Sequence, residues 1–265
     1  MKKFIFTAIV ALAFISCGKN NGKTADSNDM EFDSVVVDST CTLINSQNSP
    51  KCDISIHFQY VKGRNSQTIN NTLLRSGILA PDYFSLSKER LGIKQAIDSF
   101  VSKYMSDYKH DYGELYKQDK EHGASYNCSY FVKTKTQKAD DNVLVYIASI
   151  SSYAGGAHGI EQTLAKNFDT KTGRLIQLKD IFVPGYEQTL KEIIINKLDE
   201  KFKANGLDEL KKLYIFADNN VYVPDNFIIG DDKITFIYCE DEIAPHAVGE
   251  IRIPIDKSDL DKIMK

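Results

Sequence analysis

From Asp53 to Val61 the side chains alternate: Ile54, Ile56, Phe58 and Tyr60 fall on one side, Asp53, Ser55, His57 and Gln59 on the other. A period of two means a strand with one buried and one wet face. The period then changes. Ser66 to Leu79 carries Ile69, Leu73 and Leu74 at helical spacing, before Gly77 and Pro81. Lys88 to Tyr108 carries Ala96, Ile97, Phe100, Val101, Tyr104, Met105 and Tyr108 as one apolar stripe, the clearest helix in the chain. Two β-rich runs follow, Tyr126 to Gln137 and Asn142 to Ser152, with a hairpin expected at Lys138-Ala139-Asp140-Asp141. Leu164 to Phe168 and Leu175 to Leu178 flank Asp169-Thr170-Lys171-Thr172-Gly173, a second hairpin with glycine where φ must be positive. Glu187 to Phe202 is a second amphipathic helix through Leu190, Ile193, Ile194 and Leu198. Strands are expected at Phe227–Ile229, Ile234–Cys239 and Gly249–Ile255, with a turn at Asp231-Asp232 and a short last helix capped by Ser258.

Helices and strands therefore come in runs and not in strict alternation. That order predicts an α+β fold with a largely antiparallel sheet and two main amphipathic helices. It divides into two parts of similar size, 51–152 and 153–265, with a single shared sheet left open.

The N-terminus has a different character. Met1-Lys2-Lys3 is a basic head, Phe4 to Ile15 is apolar apart from Thr7, and Ser16-Cys17-Gly18 follows. This is the order of a secretory signal, cut here before Cys17, so that residues 1–16 form a lipoprotein leader. The apolar run is well short of the roughly 20 residues that span a bilayer as a helix. A thiol is required at position 17 because the lipid is attached through a thioether. Residues 17–50 are expected to act as the lipidated cysteine and a flexible tether, being too polar to offset their own ordering entropy. Within that stretch Val35-Val36-Val37 reads either as a first strand or as an apolar patch. The expected location is the cell envelope, anchored by lipid and facing the periplasm, with surface exposure as the alternative.

The formal net charge is -3, and loss of Lys2 and Lys3 with the leader makes it more negative. A mildly acidic chain without a Lys/Arg stripe is a poor partner for nucleic acid and weakly favours a basic one. There is no Trp, but 14 Tyr and 14 Phe supply ample core. Cys41, Cys52, Cys128 and Cys239 remain after the lipid site. In an oxidising compartment they are disulfide candidates with open pairing. For Cys128 and Cys239, in apolar strands, a buried free thiol is the alternative. None is spaced as a metal ligand.

The most distinctive stretch is Ser152-Tyr153-Ala154-Gly155-Gly156-Ala157-His158-Gly159. Gly155, Gly156 and Gly159 allow a tight turn and a close approach by another group. Two readings stand. The loop is an architectural crossover with His158 hydrogen-bonded nearby, or a contact for a ligand or partner in which Tyr153 and His158 take part. Glu240-Asp241-Glu242 precedes Pro245-His246, and the two histidine loops are expected on one side of the molecule. Together they would make an acid–base or metal site if they met; a solvated acidic turn is the plain alternative. Asp180, before Ile181-Phe182, reads as a cap. His57, His110 and His122 have no partner at a diagnostic spacing, and Glu161 with Asp169 does not define a glycosidase pair. No GxSxG, HExxH, P-loop or EF-hand spacing occurs. No catalytic residue, metal or cofactor is assigned.

The Gly-rich loop is followed by Asn167-Phe168-Asp169-Thr170-Lys171-Thr172-Gly173-Arg174-Leu175, by Leu178-Lys179-Asp180-Ile181-Phe182, by Asp241 to Gly249 and by Ile253-Pro254-Ile255. This series resembles a two-part domain of unknown function in bacterial envelope proteins. It is similar to the extracellular part of lysozyme-sensing anti-sigma factors of the RsiV type, and to the non-catalytic region of PdaC-type peptidoglycan deacetylases. The chain departs from that pattern at His246, where Tyr is more usual. The resemblance implies a non-catalytic binding module for a lysozyme-like protein or cell-wall glycan. A cell-wall enzyme and a structural envelope lipoprotein are the alternatives.

Overall fold

A computed structural model describes residues 30–84, 91–140, 142–217 and 220–265. The leader, Cys17 and the start of the expected tether lie outside the described residues. So do the first residues of the helix expected from Lys88, and Asp141 of the expected hairpin.

Among the described residues the strands form a five-stranded sheet, in the order β1-β2-β3-β4-β5, and a three-stranded sheet, β6-β7-β8. Strands β1 (Glu31–Thr42) and β2 (Lys51–Lys62) make an antiparallel hairpin. Helices α1 (Ser66–Leu74) and α2 (Ile93–Gln118) then cross over to β3 (Cys128–Asp140), which runs parallel to β2. Strands β4 (Val143–Tyr153) and β5 (Ile160–Asp169) complete the sheet as antiparallel neighbours. The second part contains α3 (Leu178–Ile181), α4 (Tyr186–Phe202) and α5 (Leu207–Lys212). The antiparallel strands β6 (Phe227–Ile229), β7 (Lys233–Tyr238) and β8 (Ile251–Asp256) follow, then α6 (Lys257–Leu260). The fold is α+β, as the order of periodicities predicts.

The core falls into two clusters with β4 as the wall between them. Ile54, Ile56 and Phe58 of β2, Tyr130 and Val132 of β3, and Leu144, Tyr146 and Ile150 of β4 pack beneath α1 and α2. The other face of β4, through Val143, Val145 and Ile147, joins the core of α4 and the second sheet. A strand covered on both sides must be apolar at consecutive positions, and Val143 to Ala148 are all buried.

Several expectations are corrected. The tether does not extend to residue 50, because Glu31–Thr42 is a strand paired with β2 over its whole length. Its alternation is hard to read because the inward positions are only half-buried and Val36, at 60 % exposure, faces out. The boundary at 152/153 falls between β4 and β5 of the five-stranded sheet, which both parts therefore share, while the second part adds a three-stranded sheet of its own. Helix α1 stops at Leu74: Gly77, with φ +83°, turns the chain, and Ile78 and Leu79 are buried as loop. Helix α2 continues ten residues past Tyr108, because Tyr112 and Tyr116 extend the stripe at i+4 spacing and meet Tyr126, at 6.1 and 5.9 Å between ring centres. The turn after β5 closes on an isolated bridge, Phe168 to Leu175, and not on a further strand. Ser258 lies inside α6; its N-cap is Asp256. Helix α5 has no counterpart in the sequence reading.

Candidate functional site

The Gly-rich segment links β4 to β5. Gly155 and Gly156 have φ of +83° and +100°. A Cβ on Gly155 would stand 2.2 Å from the carbonyl oxygen of Ser125, and one on Gly159 2.7 Å from that of Ser152. The loop is thus seated against the 3-10 turn Gly123–Tyr126 that follows α2. The Tyr153 hydroxyl donates to the Gly156 carbonyl at 3.0 Å and closes the loop on itself. These contacts support the architectural reading of the glycines. Gly155→Ala is expected to lose about 1–2 kcal/mol from the left-handed backbone, with a further loss from the clash. Gly156→Ala, with open space around its Cβ position, bears the backbone cost alone. Thermal melts of the two variants should therefore separate, with Gly155→Ala lower; equal melting temperatures would mean that the loop lifts off Ser125 without cost.

His158 and His246 do meet. Their ring centres are 3.8 Å apart at a tilt of 39°. His246 Nδ1 lies 3.2 Å from both Glu240 Oε1 and Asp241 Oδ2. Glu240 is nearly buried, at 11 % side-chain exposure, and its Oε2 accepts the Glu161 backbone N–H at 2.7 Å. Glu242 accepts from the Cys239 N–H at 2.7 Å and from the Tyr222 hydroxyl. The acidic run is therefore a tied turn, with Asp241 exposed to solvent and Glu240 and Glu242 partly buried. Its members fasten the β7–β8 connection to β5, to His246 and to itself. Among the described residues no group of three or more His, Cys, Asp or Glu is arranged to hold a metal ion. Asp180 caps as expected, its Oδ2 accepting the Gln177 N–H at 2.8 Å in a capping box.

On the other side of the loop, Tyr153 borders a cleft of about 490 Å³ between α2 and the sheet. Its walls are phenol rings: Tyr104, Tyr108 and Tyr112 from one face of α2, Tyr83 before it, Tyr130 from β3 and Tyr153 from β4. The Tyr130 hydroxyl donates to the Ile78 carbonyl at 2.7 Å and accepts the Ala80 N–H at 3.0 Å. Tyr108 donates to the Tyr126 carbonyl at 2.8 Å. Burial pushes the Tyr130 phenol up to about 12 and raises those of Tyr83, Tyr104 and Tyr108 as well. All four are uncharged at neutral pH. Asp107 and Asp111, one turn apart on α2, supply carboxylates, and Asp107 Oδ2 accepts the Tyr83 hydroxyl at 2.8 Å. The Lys103 ammonium already sits 4.6 Å above the Tyr83 ring. Gln162 of β5 borders both this cleft and a shallower polar depression of about 580 Å³ beside Glu240 to Glu242.

Of the residues singled out from sequence, Tyr153 lies in the cleft wall, Gly155, Gly156 and Gly159 shape the loop that follows it, and His158 and His246 form a brace between that loop and the β7–β8 connection. Cys41, Cys52, Cys128 and Cys239 are free thiols. The sequence reading missed Tyr83, Tyr112, Tyr130, Asp107 and Asp111. One signal was available: Tyr104, Tyr108 and Tyr112 repeat every four residues alongside Asp107 and Asp111, which places phenols and carboxylates along adjoining faces of one helix.

Residues 179–258 match a family described as a protein of unknown function, DUF3298. The chain is similar over 90% of its length to 95% of a crystal structure of a DUF3298 family member from Bacteroides fragilis, at 25% identity and a TM-score of 0.78. It also resembles a DUF3298 family protein from Pseudomonas aeruginosa, at 15% identity and a TM-score of 0.61, covering 90% of this chain and 96% of that one. No curated protein matches the chain. The family description carries no activity, and the second likeness concerns the fold alone.

Proposed function

We propose that this chain is a non-catalytic binding module, held at the cell envelope by a lipid on Cys17, and that its ligand is a basic protein of the lysozyme kind. The observation that carries the reading is the cleft beside Tyr153, where neutral phenol faces and the carboxylates of Asp107 and Asp111 border one concavity. An arginine or lysine side chain fits such a surface. Its charge is attracted by the carboxylates, and its stem and cation lie against aromatic faces, worth about 0.5–2 kcal/mol per cation–π contact. Lys103 above Tyr83 is an internal example of that contact. Tyrosines are frequent anchors at protein interfaces, and the acidic net charge of the chain supports encounter with a basic partner. The likeness to lysozyme-sensing ectodomains, carried by the loop and turn motifs of the second half, supports the same ligand class.

The test is a calorimetric titration of lysozyme with the wild-type protein and with an Asp107→Asn/Asp111→Asn double variant, at low and moderate salt. Asparagine at 107 keeps an acceptor for Tyr83. The expected result is saturable binding by the wild type, weakened about tenfold in the variant, a loss of about 1.4 kcal/mol. Wild-type association should also slow as salt rises, since surface charges are screened beyond about 10 Å at 0.1 M. No heat with lysozyme, together with fragments or acetate released from peptidoglycan by the wild type and not by His158→Ala, would replace this reading with an enzymatic one.

A further inference from the structure

Three cysteines stand in one row across the first sheet. Cys41 of β1 is directly opposite Cys52 of β2, and Cys52 is beside Cys128 of β3. Residues that are direct neighbours across strands point to the same face, and all three belong to the core beneath α2. The thiols are near enough to influence one another's ionisation, Cys41 with Cys52 and Cys52 with Cys128. Cys239 is elsewhere, its Sγ 3.6 Å from the Thr163 carbonyl and from Asn226 Nδ2.

The spacing suits covalent bonding. The Leu43 N–H donates to the Pro50 carbonyl at 3.1 Å, and the register runs unbroken from Thr42–Lys51 along the hairpin. Cys41 and Cys52 therefore occupy a hydrogen-bonded pair site, where Cα atoms are about 5.5 Å apart. Neighbouring strands such as β2 and β3 lie about 4.7–4.9 Å apart. Disulfides accept Cα separations of about 4.4–6.8 Å. Cys52 thus has a bonding partner on each side and can satisfy one at a time. A row of this kind does not converge on a single metal ion, in keeping with the absence of a metal-holding group among the described residues.

We propose that Cys52 is the shared sulfur of a disulfide relay, bonded to Cys41 or to Cys128 and exchanging between the two. Cys41, half-exposed on the edge strand, is the point of entry, since Cys52 and Cys128 are buried. A small disulfide such as oxidised glutathione is attacked by the Cys41 thiolate, giving a mixed disulfide and one glutathione thiolate. The Cys52 thiolate then attacks the Cys41 sulfur, forming Cys41–Cys52 and expelling the second. Two cysteine thiols are oxidised, one glutathione disulfide is reduced to two thiols, and the two cysteine protons pass to the leaving thiolates. Attack by the Cys128 thiolate on Cys52 moves the bond inward, with Cys41 as leaving group and no net redox change. Cys128 borders the tyrosine cleft, so the relay joins the sheet edge to the cleft wall. The relay does not depend on the ligand proposed for that cleft.

The full chain is incubated under native conditions with excess oxidised glutathione near pH 8.5, about the pKa of a free thiol. The adjoining thiols, and burial after them, hold Cys41 and Cys52 above that value, so incubation is long. Free thiols are then blocked with N-ethylmaleimide and tryptic peptides mapped by mass spectrometry. Residues 24–51, 52–62 and 121–133 separate the three cysteines. The wild type is expected to give 24–51 linked to 52–62, with a smaller share of 52–62 linked to 121–133. Cys41→Ala, which lacks the point of entry, should give neither link, Cys128→Ala only the first, and Cys52→Ala neither. A wild type without any link at Cys52, while a urea-unfolded sample becomes linked, overturns the proposal. So does a Cys41–Cys128 link in Cys52→Ala at wild-type yield, or one Cys52 partner alone across all variants.

Discussion

Phe100→Ala is expected to be the most destabilising substitution in the first half of the molecule. Phe100 is fully buried on the inner face of α2. Its ring lies 5.6 Å from Tyr83, 5.7 Å from Tyr104 and 5.5 Å from Tyr130, centre to centre. Truncating a buried Phe costs about 3–5 kcal/mol, the lost transfer energy plus that of the cavity left behind. At roughly 2–4 °C per kcal/mol for a chain of this size, the melting temperature should fall by about 6–20 °C. Phe100→Leu keeps most of the volume and should lose much less. The consequence extends to binding, because Tyr83, Tyr104 and Tyr130 are walls of the cleft and Phe100 is the ring they share. A melting curve by circular dichroism checks the first effect, and titration of the folded Phe100→Leu variant the second. A Phe100→Ala loss below about 1 kcal/mol, a typical figure for an average substitution, would mean that α2 does not pack on the sheet through this ring.

How much of this was legible depends on how far apart the cooperating residues are. Strand β2 declares itself because its partners bury one face and wet the other. Helix α2 declares itself up to Tyr108; beyond that, His110, Asp111 and Gly113 interrupt the pattern, and only packing against Tyr126 shows why the helix continues. Strand β1 is the opposite case. Its Asp, Ser and Thr residues resemble a tether, and what makes it a strand is the hydrogen-bonding edge of β2, a tertiary fact. The approach of His158 to His246 followed from both lying in loops beside strands of the second half. Their joint role as a brace did not, since it needs the Glu240 carboxylate on the Glu161 N–H. The tyrosine cleft draws on residues 83, 104–112, 130 and 153, and no local spacing links those segments.

The junction between the two sheets was least legible of all, and Asn167→Ala is expected to show how much it carries. Asn167 lies on β5 and is only 1 % exposed. Its Nδ2 donates to the Phe227 carbonyl at 2.8 Å, and its Oδ1 accepts the Ile229 N–H at 3.1 Å. The Gly230 N–H donates to the Lys233 carbonyl across the β6–β7 turn. With that register, the Phe227 carbonyl and the Ile229 N–H point away from β7, toward β5. Asn226 acts reciprocally: its Oδ1 accepts the Ala165 N–H at 2.8 Å and its Nδ2 donates to the Thr163 carbonyl at 2.7 Å. Two side-chain amides thus stand in for a strand ladder between β5 and β6. Removing the Asn167 amide leaves a buried donor and a buried acceptor without it, at about 1–3 kcal/mol each, or roughly 2–6 kcal/mol in all. Asn167→Asp retains an acceptor for Ile229, loses the donor to Phe227 and buries a charge, so it should be no milder. Urea unfolding gives the size of the loss. Hydrogen exchange gives its place: the Ile229 amide should lose protection well before the amides that pair β2 with β3. A change within about 0.5 kcal/mol, as at an ordinary surface position, with Ile229 still protected, would show that the two sheets are joined by apolar packing across β4 and that the asparagines only fill space.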